Sequence, residues 1–282
     1  MDYIVCIPSY KRAELCQEKT LSTLAKNNIP AKKIYVYVAN KDEYDEYNKV
    51  LDKTTFNKLI IGKKGLVQQR QFIMEQWPEN KQIVFFDDDV KSIDLSMSNE
   101  KTLDGFFKHA FKLCKEKGAY IWSVYPVYNP FFRKGKAEYT TCLNYLIGAF
   151  YGIINRPNKK SLQLTITKEN GQKEDVERSI KYFLEDGIVI RFNQIGFETK
   201  YYNKSGGLGT FEERLKPMLE ASNKLKAKYP EYGDISTRPS GMTEFRLKKI
   251  PATTETISKS KTLKKKSKKN KTLKTKSNYT IE

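Results

Sequence analysis

The sequence predicts an α/β fold: a mostly parallel sheet with helices on both faces, then an α+β region and a disordered basic tail. Three observations predict it. Short apolar runs recur from the N-terminus up to Asp89, helical patterns separate them, and each run ends at turn-forming or polar residues. Strands that alternate with helices are joined by crossovers, so neighbours run parallel and the connections are right-handed.

Tyr3-Ile4-Val5-Cys6-Ile7 is the first strand, and Pro8-Ser9-Tyr10-Lys11-Arg12 is the turn that leaves it. A helical pattern runs from Ala13 to Asn28 with Leu15, Leu21 and Leu24 on its apolar side. Ile34 to Val38 is the second strand, closed by Ala39-Asn40, and an acidic amphipathic stretch with Tyr44, Tyr47, Val50 and Leu51 follows. Leu59-Ile60-Ile61 is the third strand. Gly62-Lys63-Lys64-Gly65 opens a helix from Leu66 to Trp77, which Pro78 closes. Ile83-Val84-Phe85-Phe86 is a short buried strand tipped by Asp87-Asp88-Asp89. A helix is expected over Leu103 to Lys117. Another starts at Glu174-Asp175, with Val176, Ile180, Phe183 and Leu184 as its apolar pattern.

The aspartate triplet carries the chemistry. Carboxylates at the carboxyl edge of an α/β sheet are hard ligands for Mg²⁺ or Mn²⁺, and such a cation can bridge and neutralise a diphosphate. On an extended segment Asp87 and Asp89 share one side and Asp88 the other. Three unpaired carboxylates this close repel one another, which a divalent cation relieves. A polar turn after a strand is the plain alternative. Gly65 permits close backbone approach, and the helix N-terminus behind it favours negative groups. Arg12 suits either a phosphate or a neighbouring carboxylate. Asn40 is placed to hydrogen-bond a base, or simply to form a turn.

Ile7-Pro8-Ser9-Tyr10-Lys11-Arg12, Gly65 with Gln69-Arg70, and Phe86-Asp87-Asp88-Asp89 stand in the order of the GT-A fold, and they resemble its family-2-like nucleotide-sugar glycosyltransferases. A closer resemblance, over roughly residues 1–215, is to the TET/JBP-associated glycosyltransferases, which include the base J glucosyltransferase. It rests on the opening strand with Pro8 to Arg12, Phe85 to Val90, Glu174-Asp175-Val176-Glu177-Arg178-Ser179 and Lys204-Ser205-Gly206-Gly207. The resemblance implies a nucleotide-sugar-binding half over 1–95, an acceptor and catalytic half over 96–250, and a tail over 251–282. It implies a UDP-sugar donor, a divalent cation (Mn²⁺ or Mg²⁺), and inverting transfer of a hexose, glucose by preference, to hydroxymethylpyrimidine in DNA.

The same resemblance implies site residues. Pro8, Ser9 and Tyr10 lie against uracil and ribose, with an ordinary turn capped by Ser9 as the alternative. Arg12, Asn40, Gly65, Gln69 and Arg70 line the nucleotide. The aspartate–any–aspartate pattern maps onto Asp87 and Asp89. Asp89 is the expected metal ligand, Asp87 contacts metal, ribose or an ordered water, and Asp88 takes either role. Asp175 is the expected general base, with Glu174 as second choice and helix N-terminal acids as the plain alternative. Lys204 to Gly209 is expected to close over the diphosphate. One departure stands out: the only histidine is His109, so the late histidine that many GT-A enzymes add to the metal shell is missing.

Composition sets further bounds. The chain has 282 residues and four scattered cysteines without CxxC spacing, read as buried free thiols. The N-terminal strand has no signal peptide before it, and no apolar run reaches membrane-spanning length, so an intracellular, soluble protein is expected. Net charge is +19; the stretch Lys259 to Lys276 holds ten lysines and no acid, and +9 remains without it. That tail is expected to bind a polyanion such as DNA, to act as a nuclear address, to touch an anionic membrane, or only to solubilise the chain. Residues 120–151 are rich in aromatics, most of them core. Phe131-Phe132 followed by Arg133, Lys134 and Lys136 reads as a nucleic-acid contact. The alternatives to a DNA-directed enzyme are a transferase with a glycan, protein or lipid-linked acceptor, a nucleotidyltransferase, and a non-catalytic nucleic-acid-binding protein on the same scaffold.

Overall fold

The computed structural model describes residues 2–199 and 208–253. Lys204 to Gly207 of the expected diphosphate loop, and the tail from residue 254, lie outside the described residues.

The central sheet has eight strands in the order β3-β2-β1-β4-β8-β6-β9-β7. β1 (Ile4–Pro8) pairs in parallel with β2 (Ile34–Val38) and β4 (Gln82–Phe86), and β2 with β3 (Lys58–Ile61). β5 (Val90–Asp94) leaves this sheet. β6 (Ile121–Val124), β7 (Tyr139–Thr140), β8 (Phe150–Ile154) and β9 (Ile190–Phe192) extend the sheet beyond β4. β8 is antiparallel to β4 and β6, β6 and β9 are parallel, and β7 is antiparallel to β9. The sheet is therefore mostly parallel, and the strands of the two sequence halves join through β4 and β8.

Between β1 and β2 the helical pattern forms α1 (Ala13–Cys16), a π-helical turn over Gln17–Leu21, and α2 (Ser22–Lys26). α3 (Lys41–Val50) follows β2, α4 (Leu66–Gln76) follows β3, α5 (Leu103–Lys117) precedes β6, and α6 (Glu174–Asp186) precedes β9. β10 (Gly196–Thr199) pairs antiparallel with β5 as a separate ribbon. α7 (Phe211–Lys228) and the hairpin β11 (Gly233–Thr237) and β12 (Thr243–Leu247) complete the described chain. Among the described residues no helix is long and apolar enough to cross a membrane.

Period-two alternation sorts β1 between two cores. Val5 and Ile7 join a cluster with Tyr47 of α3 and Phe106, Phe107 and Phe111 of α5. Ile4 and Cys6 face the other way, with Ile73 of α4 and Tyr182 and Phe183 of α6. Every strand with both faces covered reads as a continuous apolar run, which is why these strands show in the sequence. Leu184, assigned to the apolar face of α6, is instead 49% exposed. All four cysteines are free; Cys6, Cys16 and Cys114 are buried and Cys142 is half-buried.

The aromatics of residues 120–151 are less a part of the core than expected: Trp122, Phe150 and Tyr151 are buried, Tyr120, Tyr125, Tyr139 and Tyr145 are half-buried, and Tyr128, Phe131 and Phe132 are exposed. Trp122 is fully buried, edge-on to Phe106, Phe111 and Phe150. Its indole lies across β8 at Gly152, where an added Cβ would meet ring atoms at 2.3–2.5 Å. A glycine is required there because a ring crosses the strand. Gly152→Ala is expected to cost about 1–3 kcal/mol through overpacking, read as a lowered denaturation midpoint.

Candidate functional site

The candidate site forms where β1 and β4 end, at the carboxyl edge of the parallel half of the sheet. β4 stops at Phe86, and Asp87 to Asp89 turn the chain into β5. The triplet is therefore not an extended segment, and its three carboxylates part in three directions.

Asp88 points inward and is 5% exposed. Ser9 Oγ donates to its Oδ2 at 2.5 Å and the Arg12 guanidinium lies 3.3 Å from its Oδ1. Ser9 Oγ also bonds the Tyr47 hydroxyl at 2.7 Å, and that hydroxyl accepts the Arg12 backbone N–H at 2.9 Å. These bonds lock the turn after β1. They also correct two expectations. Asp88 is a structural anchor, not a ligand facing the nucleotide. Ser9 neither caps α1, whose N-cap is Arg12 with no side-chain capping bond, nor presents its hydroxyl outward. Arg12 takes the carboxylate option, 3.3 Å from Asp88 and 3.5 Å from Asp89.

Asp87 meets Arg70, which is 4% exposed. One Arg70 nitrogen donates to Asp87 Oδ1 at 2.7 Å and to the Gly148 carbonyl at 2.8 Å; the other pairs with Glu174 Oε1. Arg178, one helical turn on from Glu174, donates to Glu174 Oε2 at 2.5 Å. Arg70 is thus a buried bridge between β4 and α6, not a nucleotide contact, and Glu174 is not a free base, because each of its oxygens faces a guanidinium. Gln69 is corrected likewise: its amide donates to the Val38 carbonyl at 3.0 Å and accepts the Lys63 N–H at 2.7 Å, tying β2 to the loop before α4. Asn40 caps α3, its Oδ1 accepting the Glu43 N–H at 3.0 Å, which is the turn role.

Of the other three expected nucleotide contacts, Pro8 is buried at the end of β1, whereas Tyr10 is half-buried and Gly65 exposed. The Lys64 ammonium lies 5.9 Å from the Tyr10 ring centroid, so the turn after β1 faces the loop before α4. Gly65 has φ +96°, a conformation that any side chain would strain.

Asp89 accepts the Thr199 hydroxyl on Oδ1 at 2.6 Å. Burial, opposed by Arg70, pushes the Asp87 carboxyl up to about 6. Burial and the neighbouring Asp88 charge push Asp89 up to about 6 as well. Asp87 keeps one oxygen clear of Arg70, and its side chain is 34% exposed. Two carboxylates held above their ordinary range, Asp87 partly open to solvent and Asp89 13% exposed beside it, fit a hard cation that takes its other ligands from water and phosphate. Among the described residues no three His, Cys, Asp or Glu side chains converge on one metal position. His109 sits on α5 between Glu100 and Glu138.

Asp175 stands at the start of α6, half-buried. Its Oδ2 accepts the Tyr145 hydroxyl at 2.5 Å and its Oδ1 accepts the Val176 N–H at 2.9 Å. The acidic pair therefore divides: Asp175 is held by a hydroxyl and a backbone N–H, whereas Glu174 is held by two guanidinium groups.

Several residues of the site carry little or no sequence signal. Thr20, in the π-helical turn, donates to the Asp87 carbonyl at 2.7 Å and accepts the Val90 N–H at 3.0 Å, and Thr23 donates to the Lys91 carbonyl at 2.6 Å. The widened turn brings the Thr20 hydroxyl to the backbone of Asp87, and α2, which follows it, brings Thr23 to Lys91. Arg178 was detectable, since its i, i+4 spacing from Glu174 is a helical ion-pair signal. Tyr145 and Thr199 have no local signal.

No protein-family model matches the chain, and no curated protein matches it in sequence. Solved structures match it in shape. S. aureus TarS 1–349 in complex with UDP aligns at 14% identity over 80% of this chain and 66% of that one, with a TM-score of 0.48. The mannosyltransferase PcManGT from Pyrobaculum calidifontis, in complex with GDP-Man and Mn²⁺, aligns at 13% identity over 85% and 66%, with a TM-score of 0.45. Glucosyl-3-phosphoglycerate synthase from Mycobacterium tuberculosis, in complex with Mn²⁺, UDP-glucose and phosphoglyceric acid, aligns at 9% identity over 89% and 90%, with a TM-score of 0.45. The match spans less than two thirds of TarS: 66% of its 1–349 fragment and 40% of the longer chain. Likenesses this distant assign no function, which rests on the site itself.

Two outcomes are expected. Arg70→Gln leaves Asp87 and Glu174 without their shared buried cation, so stability falls by about 3–5 kcal/mol, measurable by chemical denaturation. For the triplet, a carboxyl whose folded pKa lies above its unfolded value stabilises below the unfolded value and loses that contribution as pH rises through the folded one. In metal-free buffer, Asp89→Asn should therefore gain stability relative to the parent protein between about pH 4 and pH 6 and hold the gain above. The plateau should be on the order of 3 kcal/mol; a pH-independent difference would contradict it.

Proposed function

We propose that the chain is a glycosyltransferase that moves a hexose from a UDP-sugar to a hydroxyl acceptor with inversion, using Asp175 as general base. One observation carries the proposal: the Asp87–Arg70–Glu174 bridge binds the carboxylates at the tip of β4 to the helix start that bears Asp175. A donor-side acid and an acceptor-side acid are thereby held in one bonded unit.

In this reading the acceptor hydroxyl attacks the anomeric carbon and gives its proton to Asp175. The new carbon–oxygen bond forms as the bond to the diphosphate breaks, and UDP departs with the electron pair. Tyr145 orients the Asp175 carboxylate through its hydroxyl. Pro8, Tyr10 and Gly65 flank the nucleotide, and Arg12 adds positive charge beside Asp89. Asp89, with Asp87, would hold Mn²⁺ or Mg²⁺, which when bound neutralises diphosphate charge. The favoured donor is UDP-glucose and the favoured acceptor hydroxymethylpyrimidine in DNA. The resemblance at Pro8 to Arg12, Phe85 to Val90 and Glu174 to Ser179 supports both, and the basic balance of +19 supports a polyanionic acceptor. A base inside a duplex hides its hydroxymethyl group, so transfer needs an extruded or single-stranded nucleotide.

The test is sugar transfer from UDP-glucose, with Mn²⁺, to DNA with and without hydroxymethylpyrimidine. Asp175→Asn is expected to lower the rate by about 10²–10⁴ while donor affinity changes little. Chelation of the cation, or Asp89→Ala in a folded protein, is expected to abolish transfer. Near-parental turnover by Asp175→Asn would remove it as base. Transfer to a glycan or protein but not to DNA would replace the acceptor.

A further inference from the structure

The segment Tyr125 to Ala137 has an unusual surface. Phe131 is 77% exposed and Phe132 53%, and Val127 and Tyr128 beside them are 38% and 41% exposed. Single exposed apolar residues are ordinary, but four on one loop mark a contact surface. The segment contains Arg133, Lys134 and Lys136 and no acid.

The loop is not loosely held. Asn129 Oδ1 accepts the Phe131 N–H at 3.0 Å, and the Arg133 and Lys134 N–H groups both donate to the Pro130 carbonyl, at 2.9 and 3.0 Å. Arg133, expected from sequence to touch nucleic acid, is wholly buried. It donates to the Gln194 carbonyl at 2.7 Å and the Tyr128 carbonyl at 2.9 Å, and pairs with Asp94. The cation thus fastens the loop to the β5–β10 ribbon, and the two phenyl rings, centroids 5.5 Å apart at 87°, are displayed outward by a rigid mount. Rings fixed in place before binding give up little entropy when a partner arrives.

The ribbon also sets the distance to the candidate site. Val90 follows Asp89, Thr199 at the end of β10 bonds Asp89, and Asp94 lies at the other end where Arg133 docks. Four residue steps of strand separate Val90 from Asp94, about 13 Å at the usual rise. A stacked nucleic-acid strand advances about 3.4 Å per nucleotide, so the length of β5 corresponds to roughly four nucleotides.

We propose that Phe131 and Phe132 form a stacking platform for unpaired bases of a nucleic acid, with Lys134 and Lys136 facing its phosphates. The choice of polymer rests on the DNA-acceptor reading above; the platform itself rests on the exposed rings, the acid-free segment and the buried arginine mount. Aromatic faces accept any base, and lysines accept any phosphate, so binding here would not depend on sequence.

The test is binding of the full chain to unmodified single-stranded DNA across a salt series, for the parent protein, Phe131→Ala/Phe132→Ala and Lys134→Ala/Lys136→Ala. Removing the rings should weaken binding about ten- to a hundredfold, the range for deleting base–aromatic stacking, with the salt slope unchanged. Removing the lysines should flatten the slope by about 0.7 for each phosphate no longer neutralised. Unchanged affinity in the ring variant would overturn the proposal. So would binding of the parent, but not the ring variant, to vesicles of anionic phospholipid together with equal DNA affinities, because the loop would then be a membrane contact. The two readings fail separately. Ring-dependent DNA binding without sugar transfer removes the acceptor assignment and leaves the platform. Transfer to modified DNA with ring-independent binding removes the platform alone.

Discussion

Burying one guanidinium organises this site. Arg70 is all but inaccessible to water, and a lone charge there would be costly, so the fold must bring carboxylates to it. It brings two, Asp87 from the end of β4 and Glu174 from the start of α6, and adds the Gly148 carbonyl between them. Arg178 supplies a second cation to Glu174, so the cluster alternates in charge. Because α4, β4 and α6 all contribute, their relative positions cannot drift without exposing an unpaired charge. Asp175 inherits its place from this constraint, being the next residue after Glu174.

A second lock divides the aspartate triplet by role. Asp88 is consumed by Ser9 and Arg12, which fixes the turn after β1. Thr20 and Thr23 clamp the backbone of Asp87, Val90 and Lys91 from a π-helical turn and the helix that follows it. With the backbone held from both sides, Asp87 keeps a side chain that is 34% exposed while Asp89 is held between Thr199 and Arg12, and burial raises the proton affinity of both. Such stored electrostatic cost is a common mark of a functional centre.

The same ribbon that carries Thr199 to Asp89 carries the anchor of the Phe131–Phe132 loop at its far end. The ribbon thus connects the anchor of the loop to the end of the triplet. Asp89 and the bare phenyl rings are therefore linked through one ribbon.

Local pattern determined the order of strands and helices through Phe86, because strands covered on both faces are continuous apolar runs and helices carry their own period and caps. It also determined which carboxylates gather at the sheet edge, since the end of β4 and the start of α6 are both marked in the sequence. What each polar side chain does there was decided only by tertiary structure. Ser9, Asn40, Gln69, Arg70, Asp88 and Glu174 are residue types that suit a nucleotide contact or catalysis, yet here their polar atoms meet partners within the protein. Arg133 reads as a phosphate contact and is a buried anchor, while the phenylalanines before it, which read equally well as core, are the exposed surface. The physical reason is the same throughout. Hydrogen bonds and ion pairs of buried groups are satisfied by residues as far apart as Arg70 and Glu174, and no local pattern encodes a partner at that separation.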